Sequence, residues 1–395
     1  MSDKNILVNS QGPFNPNGSG MVTGFSKAIY PICAELAKTN KVTHVCHDYQ
    51  GLDFIYNGYK VARGNKDFST SAYEVKLHVE SEKPDALLAL NEPWGISAFQ
   101  DIKFGETKLV YYVPIDGYPC DKNVRALNPI IDICVPITEF GKKVLTSAGI
   151  VCADPIPHSY DPTFYHKVSP KERTALRIEY DLEDKFVVGF VGRLQERKNI
   201  MALMVAFSKF IADKDDAYLF LNMELDMTYA DFDPVKLAKC LGIDGRIMIQ
   251  NKKVTEQQMG EIYNCFDVYI NTACSEGFDI PIMEAQACGV PCITSNYSGH
   301  AELVNGHGGL IKIDAYQEMA NGINWAFVDI DDTVRLLNEF YNSTALRRKV
   351  SDINVKWAKG YSNEVIMPKW NALFENLDDE VEAIRSQEPI RHMAI

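Results

Sequence analysis

The most informative stretch of the chain is residues 275–291, which read SEGFDIPIMEAQACGVP. Pro281 favours the first turn of a helix, because the amide hydrogen that proline lacks would have no helical partner there. Gly289 is typical of a helix C-terminal cap, and Pro291 prevents the helix from continuing. The pattern therefore predicts a short helix whose N-terminal amides are free to donate hydrogen bonds.

Two glutamates flank the start of this predicted helix. Glu276 lies in the loop before it, and we expect Glu284 in its first turn. A carboxylate in a first turn can accept hydrogen bonds from both hydroxyls of a ribose, and one in the preceding loop can reach a sugar. The free amides that can donate to sugar or phosphate oxygens belong to Gly277, Phe278, Asp279 and Ile280. The alternative is a surface acidic pair, since glutamates are favoured at helix starts in any case.

A basic loop follows an apolar run upstream of this helix. Residues 186–192 read FVVGFVG and are followed by RLQERKN, which places Arg193 and Lys198 at the carboxyl end of a predicted strand. Doubly wound sheets bind their ligands at that end. Arg193 can bind a diphosphate through two parallel hydrogen bonds from its guanidinium, and Lys198 can add a point charge. The alternative is an ordinary solvated loop.

Short apolar runs alternate with helical patterns along both halves of the chain. The strand candidates are residues 5–10, 42–46, 85–90, 108–115 and 130–137, and then 186–192, 217–221, 246–250, 267–271, 291–294 and 309–313. A polar stretch at 166–184 separates the two sets and is the predicted domain junction. In the first helical pattern, Pro31 predicts a kink or a break. The alternation predicts an α/β fold with two mainly parallel, doubly wound sheets.

Length and charge narrow the class of protein. With 395 residues the chain exceeds the usual size of one hydrophobic core, so two domains are expected. The formal net charge of -13 argues against a broad surface for nucleic acid or anionic lipid. No apolar run is long enough to cross a bilayer, and the N-terminus does not read as a leader. We therefore expect a cytoplasmic protein without a transmembrane segment.

These motifs resemble the retaining GT-B glycosyltransferases of the large glycosyltransferase group 1 family (family 4 type), which includes glycogen, sucrose and lipid-glycan enzymes. That family carries two glutamates eight positions apart in a segment reading roughly SEGFGLPxxEAxAxGxP, and Glu276 and Glu284 match both. The resemblance covers most of the chain. It implies two Rossmann-like domains facing a cleft: an acceptor-side domain at 1–165 and a nucleotide-sugar donor domain at 166–360. Independently of the resemblance, the helical segment at 361–395 is a candidate for crossing back to the first domain.

The resemblance also implies roles for individual residues. Glu276 contacts the donor sugar, and Glu284 contacts the donor ribose. Arg193 and Lys198 match the family segment GRxxxxKG and bind the diphosphate. Other positions that the resemblance places at the donor are Gly18 and Gly20 in a glycine-rich loop, Val254 near the base, and the helix-start residues Gly277, Phe278, Asp279 and Ile280.

Three positions depart from the family pattern. Asp279 and Asn199 each stand where the family usually has Gly. The Asp279 side chain either hydrogen-bonds to a sugar hydroxyl or points to solvent. Asp116, in the segment PIDGYP at 114–119, stands near the position of a family His or His-Asp pair and is a candidate catalytic residue. Its alternative is a simple Asp-Gly turn.

The sequence gives no indication of a metal site. Residues 231–233 spell DxD, but they do not follow an apolar strand and predict a solvated turn, and the eight histidines lack metal-ligand spacing. We therefore expect neither metal nor cofactor, with the nucleotide diphosphate sugar as a substrate. The resemblance implies metal-independent transfer of the sugar, a hexose by expectation, to a glycan, lipid or small-molecule hydroxyl, with retention of configuration. The alternatives are a glycosyl phosphorylase or nucleotide-sugar epimerase on the same fold, or an inactive nucleotide-sugar-binding module.

Overall fold

The computed structural model describes residues 3–12, 23–65, 68–223, 225 and 232–387. The chain divides into two compact units. Unit 1 comprises Met1–Ser159, Ala320–Ile323 and Asn363–Ile395, and unit 2 comprises Tyr160–Met319 and Asn324–Ser362. Unit 2 begins ahead of the boundary that the sequence places at residue 166. The Tyr160 amide donates a hydrogen bond to the Tyr361 carbonyl oxygen (3.1 Å), which ties this segment to the end of unit 2.

Unit 1 is built on a sheet that has seven strands within the described residues. The strands are β1 (Asn5–Ser10), β2 (Lys41–Cys46), β3 (Phe54–Tyr56), β4 (Tyr59–Arg63), β5 (Ala86–Ala89), β6 (Lys108–Val113) and β7 (Ile133–Pro136). Their order is β3-β4-β2-β1-β5-β6-β7, and only the edge pair β3–β4 is antiparallel among them. The helices in this part of the chain are α1 (Gly24–Leu36), α2 (Phe68–Glu82), α3 (Pro93–Ile96), α4 (Lys122–Leu127) and α5 (Glu139–Ser147).

Unit 2 contains a second parallel sheet, with six strands in its described part. Its elements up to the sheet's last strand are α6 (Pro170–Glu179), β8 (Phe186–Val191), α7 (Ile200–Phe210), β9 (Ala217–Asn222), α8 (Pro234–Cys240), β10 (Ile247–Gln250), α9 (Glu256–Cys265), β11 (Val268–Asn271), α10 (Ile280–Ala287), β12 (Cys292–Ser295), α11 (Ser298–Glu302) and β13 (Gly309–Ile311). The order is β10-β9-β8-β11-β12-β13. An antiparallel hairpin, β14 (Ile313–Glu318) and β15 (Asn324–Val328), then precedes α12 (Ile330–Asn342) and α13 (Thr344–Ala358).

The central strands are apolar because helices cover both faces of a parallel sheet. Strand β8 reads FVVGFV and all six of its residues are buried, while five of the six residues of β6 are buried. Such strands appear in a sequence as short continuous hydrophobic runs, which is why they are predictable. The mainly parallel α/β architecture that the sequence predicts is confirmed in both units.

The last two helices belong to unit 1 although they follow unit 2 in the sequence. They are α14 (Asn363–Glu375) and α15 (Leu377–Ser386). Trp370 of α14 is fully buried, and its ring meets Tyr112 of β6 edge-on with the ring centroids 4.8 Å apart. Trp357 of α13 instead stacks on Tyr361 at 4.3 Å and stays within unit 2. The C-terminal helical segment is therefore attached to the first sheet through Trp370.

The structure differs from the sequence prediction at three places. The short strands β3 and β4 and the hairpin β14–β15 are not predicted. Five of the six residues of β14 are exposed, so its sequence carries no hydrophobic run. Pro31 does not interrupt α1, which extends across it from Gly24 to Leu36.

None of the helices in the described part of the chain combines the length and the apolar content needed to span a bilayer.

Candidate functional site

The loop and helix at 275–291 form as the local sequence predicts, with one correction. Helix α10 begins at Ile280 with Pro281 in its first turn, and Gly289, one residue past the Cys288 cap, has the positive φ (+76°) of a helix end. Glu284 is the fifth residue of the helix and not part of its first turn. The prediction that Glu284 lies in the first turn was wrong by one position. Asp279 adopts a left-handed backbone conformation at the N-cap, so the helix already starts at Ile280.

Glu276 is the centre of a buried ion cluster in unit 2. Its side chain is 8% exposed, and its Oε2 lies 2.6 Å from Nη1 of Arg197. Its Oε1 contacts the Lys198 ammonium. Both cations come from the basic loop after β8. Because β8 and β11 are neighbours in the sheet, the basic loop and the loop before α10 leave the same carboxyl edge.

The backbone of Glu276 is held by the segment around α11. The Glu276 amide donates to Oγ of Ser298 (3.0 Å), and the Gly299 amide donates to the Glu276 carbonyl oxygen (3.0 Å). His300 is fully buried and its ring nitrogens lie 2.6 Å from the Ser295 hydroxyl and 3.2 Å from the Ser298 hydroxyl. Ser298 and His300 therefore position the loop that carries Glu276.

The two carboxyl groups of this loop differ in their ionisation. Burial raises the pKa of Glu276, but the charges of Arg197 and Lys198 outweigh that effect and lower it to about 2. Burial raises the pKa of Asp279 to about 7, where Lys198 opposes the rise and the Glu276 carboxylate adds to it. At neutral pH Glu276 is ionised, whereas Asp279 is close to its titration point.

The two departures from the family's glycines both occur at left-handed backbone positions. Asn199 has φ 49° and caps the turn Glu196–Lys198, and Asp279 has φ 79° at the N-cap of α10. Asn and Asp tolerate this region better than other residues with a side chain. The backbone geometry that a glycine would supply is thus preserved, and a side chain is added.

The added side chain of Asp279 points into the protein. It is 0% exposed, its Oδ2 accepts a hydrogen bond from Nδ2 of Asn271, and its Oδ1 lies 3.9 Å from the Lys198 ammonium. Of the two alternatives for Asp279, the solvent-facing orientation is therefore contradicted. Burial of its carboxyl group against β11 is the reason.

Glu284 is buried in the body of α10. The Tyr263 hydroxyl of α9 donates a hydrogen bond to its Oε2 (2.8 Å). Burial raises the pKa of Tyr263 and of Tyr165, and the adjacent Glu284 carboxylate adds to both shifts. Two neutral phenols thus face this carboxylate and hold its orientation.

The remaining donor-side predictions in unit 2 fall on loops. Arg193 is half-buried after β8, and no hydrogen bond or ion pair joins its guanidinium to the residues that the structure describes. Val254 is half-buried between β10 and the capped start of α9. The amides of Gly277 and Ile280 donate to no atom of the described chain. Arg193 and these amides are available to an anionic ligand.

The remaining predicted positions are Gly18, Gly20 and Asp116. Gly18 and Gly20 fall outside the described residues. Asp116 belongs to unit 1, where it is half-buried in the loop after β6. Burial raises the pKa of Tyr111, and the carboxylates of Glu92, Asp121 and Asp116 add to that rise, which places Asp116 near the end of β6. Its catalytic role stays a prediction.

The second aspartate of the DxD segment at 231–233 has a structural role. Asp233 is the N-cap of α8, and its carboxylate accepts hydrogen bonds from the amides of Val235 (2.9 Å) and Lys236 (3.3 Å). Asp231 lies outside the described residues. Within 3–12, 23–65, 68–223, 225 and 232–387, no group of three His, Cys, Asp or Glu is arranged to hold a metal ion.

Sequence reasoning missed several residues of the site. Arg197 lies inside the quoted basic loop but was given no role, although it forms the 2.6 Å pair with Glu276. Asn271 and Tyr263 were not assigned either, and their roles depend on contacts with Asp279 and Glu284. A polar residue at the end of a buried strand was the available signal for Asn271.

Comparison with known proteins identifies the part of the chain that carries this cluster. Residues 185–329 match the family described as Glycosyl transferases group 1. This stretch is therefore similar to a group 1 glycosyltransferase domain. This domain includes both the basic loop after β8 and the helix α10, so the whole ion cluster lies within it. Asp116 and the glycine-rich loop at Gly18 and Gly20 lie outside the matched residues.

Curated relatives match the chain over part of their length. The serotype-specific mannosyltransferase WbdA of Escherichia coli is 24% identical over 156 residues, which are 39% of this chain and 19% of WbdA. The D-inositol 3-phosphate glycosyltransferase of Rhodococcus jostii (strain RHA1) is 31% identical over 148 residues, or 36% of this chain and 32% of the relative. The match therefore spans about a fifth to a third of these relatives.

Solved structures match almost the whole chain. Sucrose-phosphate synthase from Thermosynechococcus elongatus superposes with a TM-score of 0.76 at 15% identity, covering 95% of this chain and 99% of the other. Anabaena HepE in complex with UDP-glucose gives a TM-score of 0.73 at 16% identity, covering 94% and 99%. These similarities show the fold, and the predicted GT-B class is confirmed.

Proposed function

We propose that the protein is a retaining, metal-independent glycosyltransferase that moves a hexose from a nucleotide diphosphate sugar to an acceptor hydroxyl. The observation that carries the proposal is the Glu276 cluster in the group 1 domain. It joins a carboxylate for sugar hydroxyls to cations for a diphosphate, beside the amide end of α10. These are the groups that a donor of this chemical class requires.

The leaving group is the part of the reaction that this cluster addresses most directly. As the bond between the anomeric carbon and the diphosphate breaks, negative charge develops on the diphosphate oxygens. The amides of Gly277 and Ile280 are fixed donors for that charge, and the cations of Lys198 and Arg193 add to them; electrostatic stabilisation of this kind supplies a large share of catalysis. Side chains thus take the part that a metal ion plays in other transferases.

Sugar transfer also requires a path for one proton. The acceptor hydroxyl forms a bond to the anomeric carbon on the face that the diphosphate leaves, and its proton passes to a departing phosphate oxygen. Glu276 binds the hydroxyls of the donor sugar, and Glu284 binds the ribose. We keep Asp116 as a candidate catalytic residue.

The ion pair between Lys198 and Glu276 must change when the donor binds. The ammonium contacts the Glu276 carboxylate in the described structure, so the diphosphate must share or replace this contact. The Arg197 guanidinium remains on the opposite oxygen of Glu276 at 2.6 Å. Arg197 therefore keeps Glu276 ionised and oriented when Lys198 turns to the donor.

A donor panel followed by product analysis tests the proposal. UDP-glucose and GDP-mannose are suitable probes, because the HepE structure contains the former and WbdA is named a mannosyltransferase. We expect one of them to raise the melting temperature, since a ligand that binds the folded state stabilises it. Proton NMR of the transfer product should show the anomeric configuration of the donor.

Each alternative has its own signature in the same experiments. Turnover that requires inorganic phosphate and no nucleotide would indicate a phosphorylase. Conversion of the donor to its epimer without an acceptor would indicate an epimerase, and donor binding without hydrolysis or transfer would indicate a binding module. An inverted product would contradict the retaining mechanism.

A further inference from the structure

Asp279 lies between a hydrogen-bond donor and a cation in the buried part of unit 2. Asn271 donates to its Oδ2, and the Lys198 ammonium lies 3.9 Å from its Oδ1. No residue within the described chain donates a hydrogen bond to Oδ1, although the side chain is 0% exposed. This oxygen is therefore held beside a cation but outside hydrogen-bond distance of it.

The groups around Asp279 leave it without a cation of its own. Those that face it or its neighbours are Lys198 and Arg197 from the basic loop, Glu276 from its own loop, Tyr269 of β11, Cys292 of β12 and His300 of α11. The side chains of Tyr269, Cys292 and His300 are neutral at pH 7. Burial raises the pKa of Tyr269 and Cys292, and it lowers the pKa of His300 to about 4. Lys198 is closer to Glu276 than to Asp279, and Arg197 is paired with Glu276 at 2.6 Å.

We propose that Asp279 attracts Lys198 in the free protein, and that it takes up one proton from solvent when the donor diphosphate binds to Lys198. The inference rests on the proposed function, because it requires Lys198 to be a diphosphate ligand. An anionic diphosphate draws the ammonium away from Oδ1 and adds negative charge nearby. Both changes favour the protonated carboxyl group, and the proton goes to Asp279.

The two states of Asp279 have opposite effects on the donor. An ionised Asp279 attracts Lys198 and competes with the diphosphate for it, whereas a protonated Asp279 leaves Lys198 to the donor. Because burial raises the pKa of this carboxyl group to about 7, both states are populated near neutral pH. Donor affinity should therefore fall as the pH rises above about 7, by up to tenfold per pH unit for one linked proton.

Isothermal titration calorimetry measures the linked proton directly. The probes are UDP-glucose and GDP-mannose, whose diphosphate diesters do not titrate near neutral pH. Titrations of the full chain at pH 8 in three buffers with different ionisation enthalpies should show uptake approaching one proton. The same titrations should show affinity lower than at pH 7 by up to tenfold.

Two variants of Asp279 and one control separate this role from a structural one. Asp279→Asn keeps the shape of a protonated carboxyl group, and Asp279→Gly restores the residue usual in the family. Either should bind the donor with no proton uptake and with affinity that does not change between pH 7 and 8.5. In Asp332→Asn, the altered carboxyl group is also buried but is paired with Arg335 of α12 at 2.8 Å, and proton uptake should be retained.

The outcomes distinguish this inference from the function on which it rests. Normal donor binding by the wild type without proton uptake overturns the inference alone. Uptake that persists in both Asp279 variants assigns the proton to another group and also overturns it. Failure of both probes to bind contradicts the proposed function, and the inference falls with it.

Discussion

Removal of the Tyr263 hydroxyl tests how firmly the second glutamate is held. In Tyr263→Phe the buried carboxylate of Glu284 loses a donor at 2.8 Å while the ring that fills the space remains. Hydrogen bonds to charged groups contribute about 1.5–3 kcal/mol to stability, so unit 2 should unfold more easily by that amount. For a unit of this size the loss corresponds to a fall in melting temperature of roughly 3–12 °C.

The chain offers a matched control for this substitution. The Tyr341 hydroxyl donates to Oδ1 of Asp216 at 2.7 Å, but this bond is exposed to solvent. Water can replace the lost donor there, so Tyr341→Phe should cost less than about 1 kcal/mol. Both variants have the same chemical change and differ in the burial of the carboxylate.

The assay is thermal and urea unfolding of both variants, together with calorimetry of nucleoside diphosphate binding. If Glu284 holds the ribose, Tyr263→Phe should also weaken nucleotide binding, whereas Tyr341→Phe should not. Equal stability losses in the two variants would refute the argument that burial makes the Tyr263 bond the stronger one. Unchanged nucleotide affinity in Tyr263→Phe would remove the link between Tyr263, Glu284 and the donor.

Three further predictions concern the cations, the metal and the pH. Lys198→Ala should lower kcat/KM for the donor by about a hundredfold because a fixed charge at the diphosphate is lost, whereas Lys209→Ala, which removes an exposed pair with Asp331, should leave kcat/KM unchanged. Turnover should survive EDTA, and its loss with recovery on adding magnesium or manganese would contradict neutralisation by side chains. Burial lowers the pKa of His44 to about 3, so the unfolded chain binds a proton below pH 6.5 that the folded chain does not, and stability is lost as the pH falls. Between pH 6 and 4, wild type should lose about 1.4 kcal/mol per pH unit more than His44→Leu in urea unfolding, and parallel pH profiles for the two proteins would contradict this assignment.

Much of the fold follows from local sequence patterns. Each parallel strand buries both faces, so it appears as a short apolar run, and β8 and β6 are recognisable for this reason. The limits of α10 are equally local, since Pro281 and Gly289 each act through the conformation of their own backbone. The hairpin β14–β15 is not predictable in this way, because its exposed residues carry no such pattern.

The candidate site also combines features that the local sequence predicts with features that depend on tertiary contacts. The sequence by itself determined that Arg193 and Lys198 follow β8 and that Glu276 and Glu284 lie on either side of the start of α10, because these positions depend on neighbouring residues. Only the tertiary structure decided that Arg197 pairs with Glu276 and that Asn271 faces Asp279. Arg197 and Glu276 are far apart in the chain and meet because β8 and β11 are adjacent in the sheet, and strand order leaves no periodic signal in the sequence. Asn271 and Asp279 are only eight positions apart, but the loop that joins them has no periodic pattern that predicts their contact.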